Sequence, residues 1–295
     1  MFKRFALFFA VSLLISVSVS IVGGFVFRYF GINAGGLQGM FIMSFLYGMI
    51  GAFVSLSISK WTAKTFMRVQ LVENNPHYQW LVESVHTMSK KAGLTKMPEV
   101  GVYESPDVNA FATGPSKNNS LVAVSTGLLH KMDRDEIEGV VGHEVAHIAN
   151  GDMVTMTLVQ GVVNSFVIFI SFIVTNIVMN ALRKDDEERG FGDFFLRQFV
   201  YSAVSALVGF LAMPIVFWFS RFREYRADHG GAILAGKEKM VKALEALKRS
   251  YPLTAEASGE HSSVQTMQIS SKKSWMEWWS SHPGLDKRLN ALRKN

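Results

Sequence analysis

Two histidines four residues apart, with a glutamate directly after the first, are the residues in this 295-residue chain whose types and spacing point most directly to chemistry. They are His143, Glu144 and His147, in the run Val141-Gly-His-Glu-Val-Ala-His147. On an α-helix, positions i and i+4 lie only about 40° apart in azimuth and one turn apart along the axis, so both imidazoles can reach one metal ion. Glu144 is turned roughly a further quarter turn from His143, placed to address a water on that ion without being a ligand. This H-E-x-x-H spacing suits zinc-dependent hydrolysis, in which the ion lowers the pKa of its water to about 7 and the carboxylate acts as general base. A five-residue pattern also arises by chance, so its meaning depends on the elements around it.

A catalytic zinc site usually takes three protein ligands. The chain has no cysteine, which excludes disulfides and thiolate ligands and leaves His, Asp or Glu for the third position. The best placed group is in Ser220-Arg-Phe-Arg-Glu224-Tyr-Arg-Ala-Asp228. Glu224 and Asp228 are again four apart and share a helix face, so Glu224 can bind the ion while Asp228 orients a ligand imidazole. The plainer alternatives pair Glu224 with Arg221 or Arg223, and Asp228 with Arg226.

Hydrophobic residues make up 49% of the chain and charged residues 18%, so the two must be segregated into blocks, as in a membrane protein with a soluble part. The net charge is +6, but Lys and Arg cluster at the edges of apolar stretches and no basic stripe with interleaved aromatics is present. These charges read as topology signals, and nucleic acid is excluded as a partner. Residues 5–27 form a first apolar segment behind Lys3 and Arg4, read as a retained anchor and not a cleaved signal. A second covers 40–59 and is followed by Lys60, Lys64 and Arg68, which places both outer ends of this hairpin in the cytoplasm. A third covers 153–182, and a fourth covers 199–219 with Pro214 as a kink or interruption. The loop 183–189 between them mixes signs and decides nothing. For Glu224 to join His143 and His147, an even number of crossings must separate them. A hairpin of two spans meets this condition, and so do two segments buried in the protein or dipping into the bilayer.

Between the apolar segments the pattern is that of a folded domain. Trp80, Leu81, Val85 and Met88 recur at helical spacing over residues 78–92. Short strands are expected at 99–103 and 121–125, joined through 107–115. Asp133 is an N-cap with Glu136 three residues later, starting a helix that carries the two histidines until Asn150-Gly151 ends it. A further helix is expected over 237–249, a polar Ser-rich loop over 256–271, and a terminal helix of about ten residues. Trp275, Trp278 and Trp279 read as packing or an interfacial anchor, and His77, His86, His130, His229 and His261 as surface or packing residues. The expected divisions are 1–60, a transmembrane hairpin; 61–152, a soluble catalytic part; 153–220, a second hydrophobic hairpin; and 221–295, a C-terminal catalytic part.

The joint occurrence of HEVAH, Glu224-Tyr-Arg-Ala-Asp228, Asn109-Ala-Phe-Ala-Thr113 and His282-Pro…Arg288, with apolar segments in this arrangement, resembles the HtpX family of bacterial membrane zinc metalloproteases, related to the membrane prenyl-protein proteases. The resemblance extends over nearly the whole chain. It implies an α-helical membrane protein with four hydrophobic helices and a mainly α, α+β zincin-like soluble metalloprotease domain. Its activity would be that of a gluzincin-type metalloendopeptidase of EC 3.4.24 type, with one Zn2+ per chain, multi-pass in the bacterial inner membrane with the site facing the cytoplasm. It would act in stress-related quality control on misfolded or damaged membrane proteins and unfolded segments. Carried onto this sequence, His143, His147 and Glu224 match the zinc ligands and Glu144 the catalytic acid/base, while Asn109 matches a position on the edge strand of the substrate cleft. His282 either assists the transition state or caps the terminal helix. The implied partners are protein substrates and the lipid bilayer; the oligomeric state is open. Two other functions fit the same residues: a prenyl-protein-type membrane protease, and a non-catalytic zinc-binding membrane scaffold.

Overall fold

The computed structural model describes residues 2–31, 35–182, 191–257 and 282–294. The mixed-sign loop at 183–189, residues 258–271 of the Ser-rich stretch, His261 and the three tryptophans lie outside them. The chain forms two compact units, one of residues 1–55 and 157–216, the other of 56–156 and 217–295.

The first unit is helical and apolar. It contains α1 (Phe2–Phe30) and most of α2 (Leu37–Phe66), α6 (Asp152–Leu182) and α7 (Phe191–Ala235). Among the described residues three helices are long and apolar enough to cross a membrane: Leu37–Phe66, Asp152–Leu182 and Gly192–Ala235. Four were expected; the apolar stretch of α1 that can be assessed, Val17–Phe30, is shorter than the roughly 20 residues a span needs. The fourth apolar segment also differs from its expected limits, because α7 runs unbroken through Pro214 and on past Asp228. Helices α2 and α6 meet where side chains are missing. A Cβ on Gly48 would lie 2.2 Å from Ser165 Oγ and 2.6 Å from the Gly161 carbonyl oxygen. Ser165 turns its hydroxyl back onto the Gly161 carbonyl at 2.7 Å, so its own polar group is paired where the helices approach closely. Phe25, Ile177, Leu207 and Phe199 remain largely exposed, as lipid-facing side chains do.

The second unit is an α+β domain. Its sheet has the order β1-β2-β4-β3, with β1 Gln70–Leu71, β2 Glu99–Tyr103, β3 Ala110–Ser116 and β4 Asn119–Ser125. Strands β2 and β4 are parallel and β3 is antiparallel to β4, which leaves β3 at the edge. The sequence pattern makes 107–115 a connection, whereas in the fold 110–115 of that stretch belongs to this strand. Pro115 is tolerated there because an edge strand has one side on which no ladder donor is needed. One face of the sheet, through Val100, Val102, Val122 and Val124, packs on Leu81, Val85 and Met88 of α3 (Gln79–Lys91) and on Val141, Val145 and Ile148 of α5 (Arg134–Asn150). The other face covers Tyr103, Leu121 and Ala123 with Ala63 and Val69. Lys60 and Lys64, in the last turns of α2, hold Glu99 at 2.9 and 2.5 Å. Burial opposes the charge on Glu99, yet these two lysines hold its carboxyl below the usual range.

The ends of α5 are set by local chemistry. Asp133 accepts from the Glu136 N–H at 2.8 Å while Glu136 accepts from the Asp133 N–H at 3.0 Å, a reciprocal cap. Gly151, at φ 74°, closes the other end in the left-handed conformation. Between those ends, α5 lies against α8 (Lys237–Ala257) and the last turns of α7 through glycines. A Cβ on Gly139 would meet the Lys239 carbonyl oxygen at 2.3 Å and Ala243 Cβ at 2.7 Å; one on Gly231 would sit 3.0 Å from the His143 nitrogen. Gly139→Ala should therefore destabilise the protein by about 1–2 kcal/mol, because overpacking costs about 1–3 kcal/mol and the helix-propensity gain of about 1 kcal/mol recovers only part of it. Thermal unfolding in detergent should show the midpoint lowered by several degrees; an unchanged or raised midpoint would contradict the tight α5–α8 contact.

Candidate metal centre

The last two turns of α5 carry His143 and His147, and the glycine-lined approach of α7 brings Glu224 to them. The ligating atoms of His143, His147 and Glu224 all lie within 4.8 Å of one another. The two Nε2 atoms are 3.1 Å apart, and the Glu224 carboxylate stands 3.5 Å from one and 3.4 Å from the other. Each imidazole is held from behind through its other nitrogen. His143 Nδ1 donates to Asp228 Oδ1 at 2.9 Å, and His147 Nδ1 donates to Asp152 Oδ2 at 2.7 Å. The hydrogens are thereby fixed on Nδ1 and both Nε2 lone pairs face the Glu224 carboxylate. Glu224 is 2% exposed, and its Oε2 makes no hydrogen bond of good geometry, although His282 Nδ1 lies 3.0 Å from it and Arg288 Nη1 3.3 Å.

Three acceptors converging on one point, two of them buried and one half-buried, repel one another unless a cation sits among them. Two imidazoles and a carboxylate form a borderline N/O donor set that suits zinc and its neighbours, and carboxylate-anchored imidazoles are the usual support of such ligands. The residues present fit a metal ion. Without one, protons must do the same work. Burial opposes charge on both histidines, but the hydrogen bonds of His143 with Asp228 and Glu224 raise its pKa, and those of His147 with Asp152 and Glu224 raise its pKa to about 9.

The remaining expected residues fall as follows. Glu144 is half-buried on the same helix, close enough for its charge to act on His147. Asn109 immediately precedes the edge strand; its backbone pairs with Ser125 while its side chain is exposed. Tyr103, buried at the end of β2, has its phenol pushed up chiefly by that burial, with the Glu144 charge adding to the effect. His282 is exposed over 64% of its side chain and reaches Glu224 as described.

Two residues to which the sequence assigns no role, Asp152 and Arg288, stand at the centre in the fold. Asp152, the first residue of α6 and 1% exposed, takes His147 on one oxygen and Arg226 on the other, at 2.7 Å each. Arg226 therefore does not pair with Asp228. That carboxylate is held instead by Arg288 on α9 (Leu285–Lys294), through Nε at 2.8 Å and Nη2 at 2.5 Å. Arg288 is 6% exposed, and Leu289 and Leu292 anchor its helix on Met240 and Leu244 of α8. No local pattern marks either contact, since Arg226 lies 74 residues from Asp152 and Arg288 60 residues from Asp228.

Comparison with known proteins now decides the family. The model of peptidase family M48 matches residues 76–295. The chain belongs to peptidase family M48. It is 48% identical over 281 residues to Protease HtpX of Shewanella piezotolerans, an alignment that covers 94% of this chain and 96% of the relative. It is also 48% identical over 294 residues to Protease HtpX of Shewanella baltica, covering 99% of both. Among solved structures, Ste24p of S. mikatae is similar in fold, with a TM-score of 0.61 and 18% identity over 99% of this chain and 67% of the other. The M48 chain is thus a membrane metalloprotease, and its His-His-Glu group is the described cluster that could hold the family's metal.

Asp152→Asn should weaken metal binding by about 10–100-fold, the usual cost of losing the partner behind a ligand imidazole. A chelator competition assay on the purified variant measures this, and an unchanged dissociation constant would show that Asp152 does not orient His147.

Proposed function

We propose that the chain is a zinc-dependent endopeptidase of the bacterial inner membrane that cleaves misfolded or damaged membrane proteins and locally unfolded segments on the cytoplasmic side. The observation that carries this reading is the convergence of two Nδ1-anchored imidazoles and a buried carboxylate beside Glu144, in a chain of family M48. His143, His147 and Glu224 would hold the zinc, with Asp228 and Asp152 fixing the imidazoles. When bound, zinc supplies Lewis acidity toward the scissile carbonyl and the attacking water.

The chain's own residues do the rest. Glu144 takes the proton of the attacking water and passes it to the departing amine. Arg288 opposes the effect of burial on Asp228 and keeps it ionised, so that it goes on holding His143, and its guanidinium lies 3.3 Å from Glu224. Asn109 stands at the start of β3, where an extended substrate segment can add to the sheet edge through main-chain hydrogen bonds. Binding of that kind reads backbone more than side chains and gives loose sequence preference. His282, within reach of Glu224 and open to solvent, is placed to meet the substrate's developing charge. The division at 1–60, 61–152, 153–220 and 221–295 suits two hydrophobic hairpins flanking and interrupting a catalytic part. Lys60, Lys64 and Arg68 after the first hairpin support a cytoplasmic catalytic part.

Glu144→Gln should lose about 10²–10⁴-fold in cleavage of an unfolded protein such as casein while keeping its zinc. Near-wild-type cleavage by that variant would reject Glu144 as the base. A chelator should abolish wild-type cleavage and zinc should restore it; activity that survives metal removal would reject the metal-dependent reading. Equal or better turnover of an unmodified peptide than of its prenylated form separates this function from a prenyl-protein protease.

A further inference from the structure

The apolar unit contains a cavity of about 350 Å³ whose lining includes Tyr47 from α2, Phe172 and Thr175 from α6, and Arg197, Gln198 and Tyr201 from α7. The proteolytic reading gives these residues no role. Thr175 lies seven residues before the end of α6 and Arg197 six residues after the start of α7, so the cavity sits only about 10 Å inside those helix ends. That depth corresponds to the boundary between headgroups and acyl chains for helices that cross a bilayer.

Two polar groups in it call for an occupant. Arg197 is half-buried and donates to Asn176 Oδ1, a neutral partner, and among the described residues no carboxylate lines the cavity; Asp193, one turn earlier, is not one of its described walls. Thr175 is 1% exposed, and its Oγ1 makes no hydrogen bond. A cation at membrane depth is costly unless it meets an anion, and a buried hydroxyl is costly unless it meets an acceptor. Around them the walls are aromatic, with Phe172 and Tyr201 rings 5.1 Å apart and the largely exposed Phe194 also in the lining. The anions available at that level of a membrane are lipid phosphates, which basic pockets between membrane helices take up.

We propose that this cavity binds the phosphate of a membrane phospholipid, with Arg197 as the charge partner and Thr175 and Tyr201 as hydroxyl donors. The full chain in detergent, titrated with phosphatidylglycerol and read by native mass spectrometry, tests it. Arg197→Met should reduce retained lipid at least tenfold and Thr175→Val, which keeps the volume, at least threefold, with lipid-free thermal midpoints and casein cleavage unchanged. Diacylglycerol of the same chain length should not be retained, and millimolar inorganic phosphate should not displace the lipid. Equal retention by wild type and both variants, or equal retention of diacylglycerol, would overturn the proposal. Arg197-dependent displacement by inorganic phosphate would overturn the lipid assignment in favour of a soluble anion.

Discussion

Two imidazoles whose Nδ1 atoms are both taken by carboxylates have one free direction left, and in this chain those directions meet in front of a third carboxylate. The 3.1 Å separation of the Nε2 atoms is not a stable contact between two acceptors; it is a distance that a cation or a proton has to mediate. The surrounding fold serves to enforce it. The reciprocal cap and Gly151 set where α5 begins and ends, and the glycines at 139, 142 and 231 let α8 and the end of α7 come close enough for Glu224 to face both histidines. Asp152 and Asp228 then fix the rotation of each ring.

The centre is built at a cost to stability. Glu224, Asp228, Asp152 and Arg288 are all at least nine-tenths buried, and removing charges from water is repaid only when each finds good partners. Arg288 supplies them for Asp228 through a two-pronged contact, a geometry the planar guanidinium provides and an ammonium does not. Its helix is therefore part of the centre and not a terminal ornament, held there by Leu289 and Leu292. Negative charge concentrated in a buried pocket is what a site for a divalent cation needs, and a purely structural core would avoid it.

Much of this was legible in the residues because it is local. The cap of α5, the helical register of His143, Glu144 and His147, the strands at 99–103 and 121–125, and the pairing of Glu224 with Asp228 on one face all follow from short-range periodicity. What escaped depends on contacts between distant parts of the chain. Asp152 shows no signal of its role until α6 and α7 bring Arg226 opposite it, and Arg288 none until α9 docks on α8. The strand β3 was hidden by Gly114 and Pro115, residues that argue against a strand in a sheet's interior and carry little weight at its edge. The continuation of α7 was hidden because its composition changes from apolar to charged near Arg221, while the helix itself continues to Ala235.

The central claim is that one zinc ion is held by two imidazoles and one carboxylate drawn from α5 and α7. Zinc K-edge absorption on the purified wild-type protein addresses it directly. One zinc per chain, with outer-shell scattering from two imidazoles and the remainder from oxygen, is the result this account predicts. A spectrum with three or more imidazoles, or one whose imidazole scattering survives replacement of both His143 and His147, would contradict it.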